Sequence, residues 1–140
     1  MRRIVVAAKA GSDQSWLADA AADIAEELGG EVAVVSMDGV ELEALSPLPR
    51  SEFAKGAEQA SKAVAERIAA RGVRTTAEHR AGPVVRGILV FAEEHEADLI
   101  VVGASTRGAV ARRMLGSMSA RLIERSRRPV LVITPPPEGA

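Results

Sequence analysis

The chain has 140 residues, of which 47% are apolar and 26% are charged, and its net charge is −1; this is the balance of a single soluble globular domain. It contains no cysteine, which excludes disulfides, thiol catalysis and cysteine-ligated metals. Aromatic residues make up only 2% of the chain, so the core must be aliphatic and stacking platforms for nucleic-acid bases are excluded.

The sequence also lacks membrane and export signals. No apolar run approaches the roughly 20 residues that a membrane helix needs. The first residues, MRRIVVAAKAGS, have a basic start but an apolar stretch too short for a secretory signal, and they fit a first strand better. By elimination, we expect a cytoplasmic protein with no membrane insertion.

Strand and helix patterns alternate in the first part of the chain. Residues 4–8 and 31–37 are rich in consecutive apolar residues, as in strands that are covered on both faces. Between them, apolar residues recur at helical spacing over residues 17–28, with acidic residues on the opposite face. Either Ser12 or Asp13 is the expected cap of this helix.

The middle of the chain contains one irregular stretch. We interpret residues 38–50, which include two prolines, as a long connector; a mobile flap over a ligand is the alternative. A helix is predicted over residues 51–71. The more polar residues 73–80 then suit a strand at the edge of a sheet.

The second half continues the alternation. Pro83 fits the first turn of a helix whose buried face is formed by Val85, Ile88, Leu89 and Ala92. A strand over residues 97–103, a helix up to residue 125 and a last strand over residues 130–134 follow. Residues 135–140 are expected to form a disordered tail.

This alternation predicts an α/β fold, an open parallel sheet with helices on both faces and right-handed crossovers. In such sheets, ligands lie at the carboxyl ends of the strands, where the strand order reverses. The loops at those ends are therefore the first places to look for a site.

The loop GASTRGAVARRMLGS, over residues 103–117, follows a buried strand and leads into a helix that begins at Ser117. Gly103 allows the chain to turn sharply off the strand. Gly116 has no Cβ, which leaves the backbone N–H groups of Ser117 and Met118 open to a ligand. Such unpaired donors at a helix start attract anions, most often phosphate.

The charge distribution points in the same direction. Residues 103–128 carry seven arginines and one acid, in a chain whose net charge is −1. Such asymmetry indicates a polyanionic partner. For residues 121–128, a solvated arginine face is the alternative, and the sequence leaves both interpretations open.

A strand that ends in glycine, followed by G-x2-G-x9-G-[ST] before the last helix, resembles the universal stress protein family. The match lies at Gly103, Gly116 and Ser117, whereas Thr106 replaces the second glycine. The resemblance extends over nearly the whole chain and implies a domain over residues 1–134. It also implies a Rossmann-like, adenine nucleotide alpha hydrolase-like sheet of order 3-2-1-4-5, which places a crevice between the first and fourth strands.

The resemblance implies that this crevice holds ATP or AMP, with Mg²⁺ only beside a triphosphate. The candidate residues for the nucleotide are those at the strand ends and in the glycine loop: Ala8, Lys9, Ala10, Met37, Val102, Gly103, Thr106, Arg107, Gly116, Ser117 and Met118. The Lys9 side chain either contacts a phosphate or extends into solvent, and the sequence does not decide between these two roles.

Two residues depart from the family pattern. Ala10 stands where the ATP-binding members have an aspartate, and Thr106 fits badly if that position needs a positive φ. The loop would then be rebuilt, with Gly108 in the special conformation. These departures favour an alternative, a nucleotide-free dimeric module that regulates a protein partner such as a transporter.

The last strand is as apolar as the central strands, although the implied order places it at an edge. An uncovered apolar edge would aggregate, and the resemblance implies pairing with a second copy. The alternative is that the chain's own last helix covers this strand. We expect instead a homodimer that forms through Val130, Leu131, Val132 and Ile133.

Other functions find little support. There is no P-loop and no dinucleotide fingerprint, and no nucleophile with a recognisable base. His79 and His95 have no partner at metal-ligand or triad spacing and are expected at the surface. We expect a nucleotide-binding protein of stress response or regulation, with no metal site, no nucleic-acid partner and no catalysis beyond slow ATP hydrolysis.

Overall fold

A computed structural model of the protein describes residues 2–39, 50–104 and 116–136, except the side chains of residues 50, 51 and 53. The elements in these ranges are β1 (Arg3–Ala8), α1 (Ser15–Leu28), β2 (Glu31–Asp38), α2 (Arg50–Ala69), β3 (Thr75–Ala81), α3 (Val84–Glu94), β4 (Leu99–Gly103), α4 (Ser117–Arg125) and β5 (Val130–Ile133). None of the helices in these ranges is long and apolar enough to cross a membrane.

Several sequence predictions fall outside the described residues. They are the flap or connector over residues 40–49, the roles of Thr106, Arg107 and Gly108, and the tail over residues 137–140. Of the predicted tail, the two prolines at its start are described, and Pro135 is buried.

The strands form one parallel sheet in the order β3-β2-β1-β4-β5, which confirms the predicted fold class and strand order. The central strand β1 pairs with β2 on one side and with β4 on the other. At its middle, Val5 is paired with Ala33 and with Ile100. β3, at one edge, is the most exposed strand, as its polar sequence predicted.

Two aliphatic layers sandwich the sheet. Alternate residues of β1 enter opposite layers: Ile4 and Val6 pack with α1 and α2, whereas Val5 and Ala7 pack with α3 and α4. A strand that is covered on both faces needs apolar residues at every position. For this reason, apolar and polar residues do not alternate along the central strands.

The structure corrects the predicted helix starts. The N-cap of α1 is Gln14, and not Ser12 or Asp13; Asp13 Oδ1 instead accepts a hydrogen bond from the Ser15 N–H at 3.0 Å. Pro83 lies at the N-cap of α3, one residue before its first turn. At α1, the Asp13 carboxylate thus meets a first-turn N–H from one position before the N-cap; at α3, no side chain of a described residue caps the helix.

Aromatic packing on α3 was missed by the sequence analysis. Phe91 is 1% exposed and one of the largest buried side chains, whereas Leu89 is only half-buried. His95, expected at the surface, is half-buried: its ring lies 4.0 Å from the Phe91 ring, and its Nδ1 is 2.9 Å from the Phe91 carbonyl oxygen. The guanidinium of Arg80 covers Phe91 at 4.8 Å from the ring centroid.

Arg80 is held in place by Glu94, with 2.7 Å between Nη2 and Oε1. Hydrogen bonds from Arg80 hold the pKa of the Glu94 carboxyl below its usual value, although partial desolvation opposes this effect. A carboxyl whose pKa is lowered on folding contributes stability above its unfolded pKa, near ~4.3, and this stability is lost as the pH falls through the folded pKa.

We expect Glu94→Gln to lower Tm at pH 7, with a deficit that shrinks towards pH 3. Thermal unfolding followed by circular dichroism over this pH range measures the effect. Glu27→Gln is the matched control, because Glu27 is exposed on α1 and makes no ion pair with any described residue. A deficit that stays constant with pH would contradict the role of this ion pair.

Candidate functional site

A crevice of about 690 Å³ opens at the carboxyl ends of β1 and β4. It lies where the strand order reverses, since the chain passes from β1 outwards to β2 and β3 and then returns to β4 on the other side. Neighbouring loops leave the sheet in opposite directions at such a point and open a cleft between them. The starts of α3 and α4 complete its walls.

The structure brings most of the predicted site residues together here. The described candidates that line the crevice are Ala8, Lys9, Ala10, Met37, Val102, Gly103, Gly116, Ser117 and Met118. Val102 is only 1% exposed and mainly packs in the core. Thr106 and Arg107 belong to the loop outside the described residues.

Gln14 holds the loop after β1. Its Oε1 accepts a hydrogen bond of 2.6 Å from the Lys9 N–H, and only 9% of the residue is exposed. This bond closes the turn between β1 and α1 and leaves the Lys9 side chain exposed at the crevice. No pattern in the sequence marks Gln14, because the bond depends on how closely the helix start returns to the strand end.

Gly103 is needed for a different reason from the one that the sequence indicated. Its φ is not positive; among the glycines that the structure describes, those with a positive φ are Gly11, Gly29, Gly72, Gly82 and Gly116. A Cβ on Gly103 would lie 2.7 Å from Cη2 of Trp16 and 3.3 Å from Cζ3. Gly103 therefore makes room for an indole ring, whose Nε1 donates to the Asp13 carbonyl at 3.1 Å.

A second glycine accommodates Met37 at the end of β2. A Cβ on Gly87, in α3, would lie 2.1 Å from the Met37 Cε, so the thioether fills the space that this glycine leaves. Met37 also packs against the core layer under α3. It thus serves both as core filler and as an apolar wall of the crevice.

Gly116 provides the most polar part of the crevice wall. It is the N-cap of α4 with φ 79° and ψ 155°, a backbone region that favours glycine. Within the described residues, no side chain caps α4. The first N–H groups of the helix, at Ser117 and Met118, thus point from a positive helix end into the crevice.

The arginines at the end of the chain divide into two groups. Arg128 Nη2 pairs with Glu93 Oε2 at 3.1 Å and is structural. Arg121 and Arg125 line the crevice from α4, and Arg86 joins them from α3. For Arg121 and Arg125, the sequence left open whether they bind an anion or form a solvated face. The sequence analysis missed Arg86, because only tertiary packing brings α3 beside α4.

Comparisons with known proteins agree with this architecture. The family model described as "Universal stress protein family" matches residues 1–134. A universal stress protein of Methanocaldococcus jannaschii is 33% identical over 133 residues, which cover 90% of this chain and 78% of that protein. The chain therefore belongs to the universal stress protein family.

Two solved structures share the fold. A universal stress protein from Archaeoglobus fulgidus in complex with dAMP has a TM-score of 0.69 at 24% identity, with 95% of this chain and 98% of that chain covered. A universal stress protein in complex with cAMP has a TM-score of 0.71 at 24% identity, with 94% and 96% covered.

The packing of Trp16 on Gly103 predicts that Gly103→Ala is destabilising. The indole cannot bend away as a flexible side chain would, so we expect a loss of about 1–3 kcal/mol in the free energy of unfolding and a shift in fluorescence emission. Trp16 is the only tryptophan of the chain, so urea unfolding followed by its fluorescence measures both effects.

Gly56→Ala is the matched control for this substitution. A Cβ on Gly56 would meet Ala10 Cβ at an ordinary 3.6 Å, and alanine favours a helix interior by roughly 0.5–1 kcal/mol over glycine. We expect unchanged emission and equal or higher stability. If Gly103→Ala behaved like this control, the indole contact would not be the reason for the glycine.

Proposed function

We propose that this protein binds an adenine nucleotide, ATP or AMP, in the crevice between β1 and β4, and acts in the cytoplasm as a regulator in stress response. The observation that carries the proposal is the start of α4 at Gly116, which no side chain of a described residue caps and which opens into a cleft of about 690 Å³. The dAMP and cAMP complexes of structures with the same fold support an adenine nucleotide.

The crevice has the two kinds of surface that a nucleotide needs. The backbone N–H groups of Ser117 and Met118, with the Ser117 hydroxyl, suit ribose and phosphate oxygens. Ala8, Ala10 and Met37 provide an apolar surface for the base. The exposed Lys9 adds a positive charge at the same opening.

We expect Mg²⁺ only together with a triphosphate. Among the described lining residues, Asp38 is the only acid, and it lies on the side of the crevice formed by β2. A Mg²⁺ ion here would be held mainly by phosphate oxygens and water, which is its usual mode of binding beside nucleotides.

We propose binding and not catalysis as the role of the site. The lining residues that the structure describes include no histidine or cysteine and offer no nucleophile with a base beside it. Donors fixed around a phosphate can support slow hydrolysis of bound ATP, but that turnover would be incidental to regulation.

A specific observation favours a second candidate, a nucleotide-free dimeric module that regulates a protein partner such as a transporter. Ala10 has no polar side-chain atom where nucleotide-binding relatives are expected to carry an aspartate, and α2 approaches it at Gly56. Nucleotide extraction from freshly purified protein, followed by chromatography, separates the two candidates. Recovery of stoichiometric nucleotide would exclude the nucleotide-free module.

We expect Gly116→Ala to weaken AMP and ATP binding about ten-fold or more, because a residue with a Cβ resists φ 79° and would displace the first N–H groups of α4. Calorimetric titration measures the loss.

Gly72→Ala is the control for Gly116→Ala, since it also places a Cβ at a positive φ, of 86°, but at a position that does not line the crevice. It should lower stability by about 1 kcal/mol and leave nucleotide affinity intact. Equal affinity of the two variants would place the site elsewhere.

We also propose a homodimer that forms through the exposed edge of β5. Val130 and Val132 face the core layer under α3, and Ile133 packs on the opposite side. Leu131 is 38% exposed at this edge. Pairing with β5 of a second copy would satisfy the unpaired edge groups and bury Leu131.

We expect Leu131→Lys to shift the protein from dimer to monomer, because a lysine on an edge strand opposes edge-to-edge pairing. Light scattering at micromolar concentration measures the mass. Leu28→Lys is the control, as Leu28 is 46% exposed on the helix α1 and does not belong to an edge strand. A wild-type monomer under these conditions would refute the dimer.

A further inference from the structure

We propose that a groove between α3 and α4 binds a short acidic segment of a partner protein, and that an aliphatic side chain of this segment inserts between the two helices. We call this surface the α3–α4 groove. The inference goes beyond the proposed nucleotide site and does not depend on it, since most residues of the groove do not line the crevice.

The α3–α4 groove is a second cavity, of about 560 Å³. It lies between α3, the start of β4, the end of α4 and the segment that leads into β5. Among the described lining residues, it shares Arg86 and Arg125 with the crevice. Its volume falls within the range of roughly 300–1,000 Å³ that is usual for ligand clefts, so it can hold a short segment of chain.

The floor of the α3–α4 groove is aliphatic and partly open. Ala92 and Ile100 are almost fully buried beneath it, whereas Leu89 is half-buried and Val90 is 45% exposed. The helical pattern of the sequence predicted Leu89 on the buried face of α3, but in the structure it lines the groove and stays partly accessible. An aliphatic side chain of a partner would remove this apolar surface from water.

The acidic residues of the α3–α4 groove already have partners. Glu93 pairs with Arg128, with 3.1 Å between Oε2 and Nη2, and Glu94 pairs with Arg80 at 2.7 Å. Hydrogen bonds from Arg128, with a smaller contribution from the charge of Arg127, hold the pKa of the Glu93 carboxyl below its usual value, although partial desolvation opposes this effect. Both carboxylates are therefore balanced by arginines of this chain.

The charge that remains in the α3–α4 groove is positive. Arg86, Arg125 and Arg127 are exposed and make no ion pair with any described residue. They come from both sides of the groove, Arg86 from α3 and the other two from the end of α4 and the segment after it. Guanidinium groups bind carboxylates with short, charge-assisted and often bidentate hydrogen bonds. The groove is thus complementary to carboxylates that flank an aliphatic residue.

This arrangement favours an acidic peptide over a nucleic acid. None of the described lining residues of the groove is aromatic, so they offer no surface on which a base could stack. A phosphate backbone would leave Val90 uncovered and would approach Glu93 and Glu94 on α3. A peptide can instead place separate carboxylates at the arginines and an apolar side chain on the floor, as peptides do in other apolar grooves.

The chemistry of the partner is tested by selecting a library of random short peptides, displayed on phage, against the full-length protein. We expect enrichment of peptides in which leucine, isoleucine or valine lies between aspartate or glutamate residues. Enrichment of basic peptides, or of none at all, would overturn the inference.

The position of the site is tested with the most enriched peptide, labelled with fluorescein, by fluorescence anisotropy. We expect Val90→Asp to weaken peptide binding about ten-fold or more, because it removes an apolar contact and repels the acidic peptide. Arg127→Gln should weaken it about three-fold, the loss of one exposed ion pair. Both positions are exposed, and circular dichroism checks that both variants fold.

Leu28→Asp and Arg74→Gln are the matched controls. Leu28 is 46% exposed, about as much as Val90, and Arg74 is exposed and makes no ion pair with a described residue. Neither residue lines the groove, so both controls should bind the peptide as the wild-type protein does. Equal losses in the groove variants and in these controls would attribute binding to overall charge and overturn the inference.

Two further outcomes would assign the groove to a different occupant and overturn the inference. If light scattering showed that Val90→Asp turns a wild-type dimer into a monomer, the groove would be an interface between two copies of this chain. If a single-stranded oligonucleotide displaced the peptide and lost affinity in Arg127→Gln but not in Val90→Asp, the groove would bind a polyanion. The proposed nucleotide site would stand in either case, since neither Val90 nor Arg127 lines the crevice.

Discussion

The structure depends on the position of β1 at the centre of a parallel sheet. Because β1 pairs with both β2 and β4, it lies in the middle of the sheet, helices cover both of its faces, and its carboxyl end lies where the chain reverses direction. The core and the crevice share this origin: the central position that buries Val5 and Val6 under the helices also leaves the ends of β1 and β4 facing a cleft. A change of strand order would remove both together.

Around this cleft, glycines make room for large side chains of neighbouring elements. Gly103 faces the Trp16 ring and Gly87 faces the Met37 thioether, so each wall combines a residue without a side chain and a bulky partner from elsewhere in the chain. Gly116 differs from both, because its positive φ sets the direction in which α4 begins. The apolar and polar parts of the crevice therefore have separate structural causes.

Charge is also divided between structure and site. The acidic residues after Phe91 neutralise arginines that pack against the fold, as Glu93 does for Arg128 and Glu94 for Arg80. The crevice receives arginines without such partners among the described residues. A protein of nearly neutral net charge thereby keeps a local positive field where an anionic ligand would enter.

The sequence by itself determined the strands, the helices, the parallel sheet and the family, because apolar runs and glycine positions are local signals. The end of β4 at Gly103 and the helix start at Ser117 also followed from it. Only the tertiary structure decided that Gln14 holds the Lys9 N–H, that Trp16 requires Gly103, and that Arg86 joins the arginines of α4. These contacts join residues that are brought together by packing, and no pattern along the chain records which side chains will meet across it.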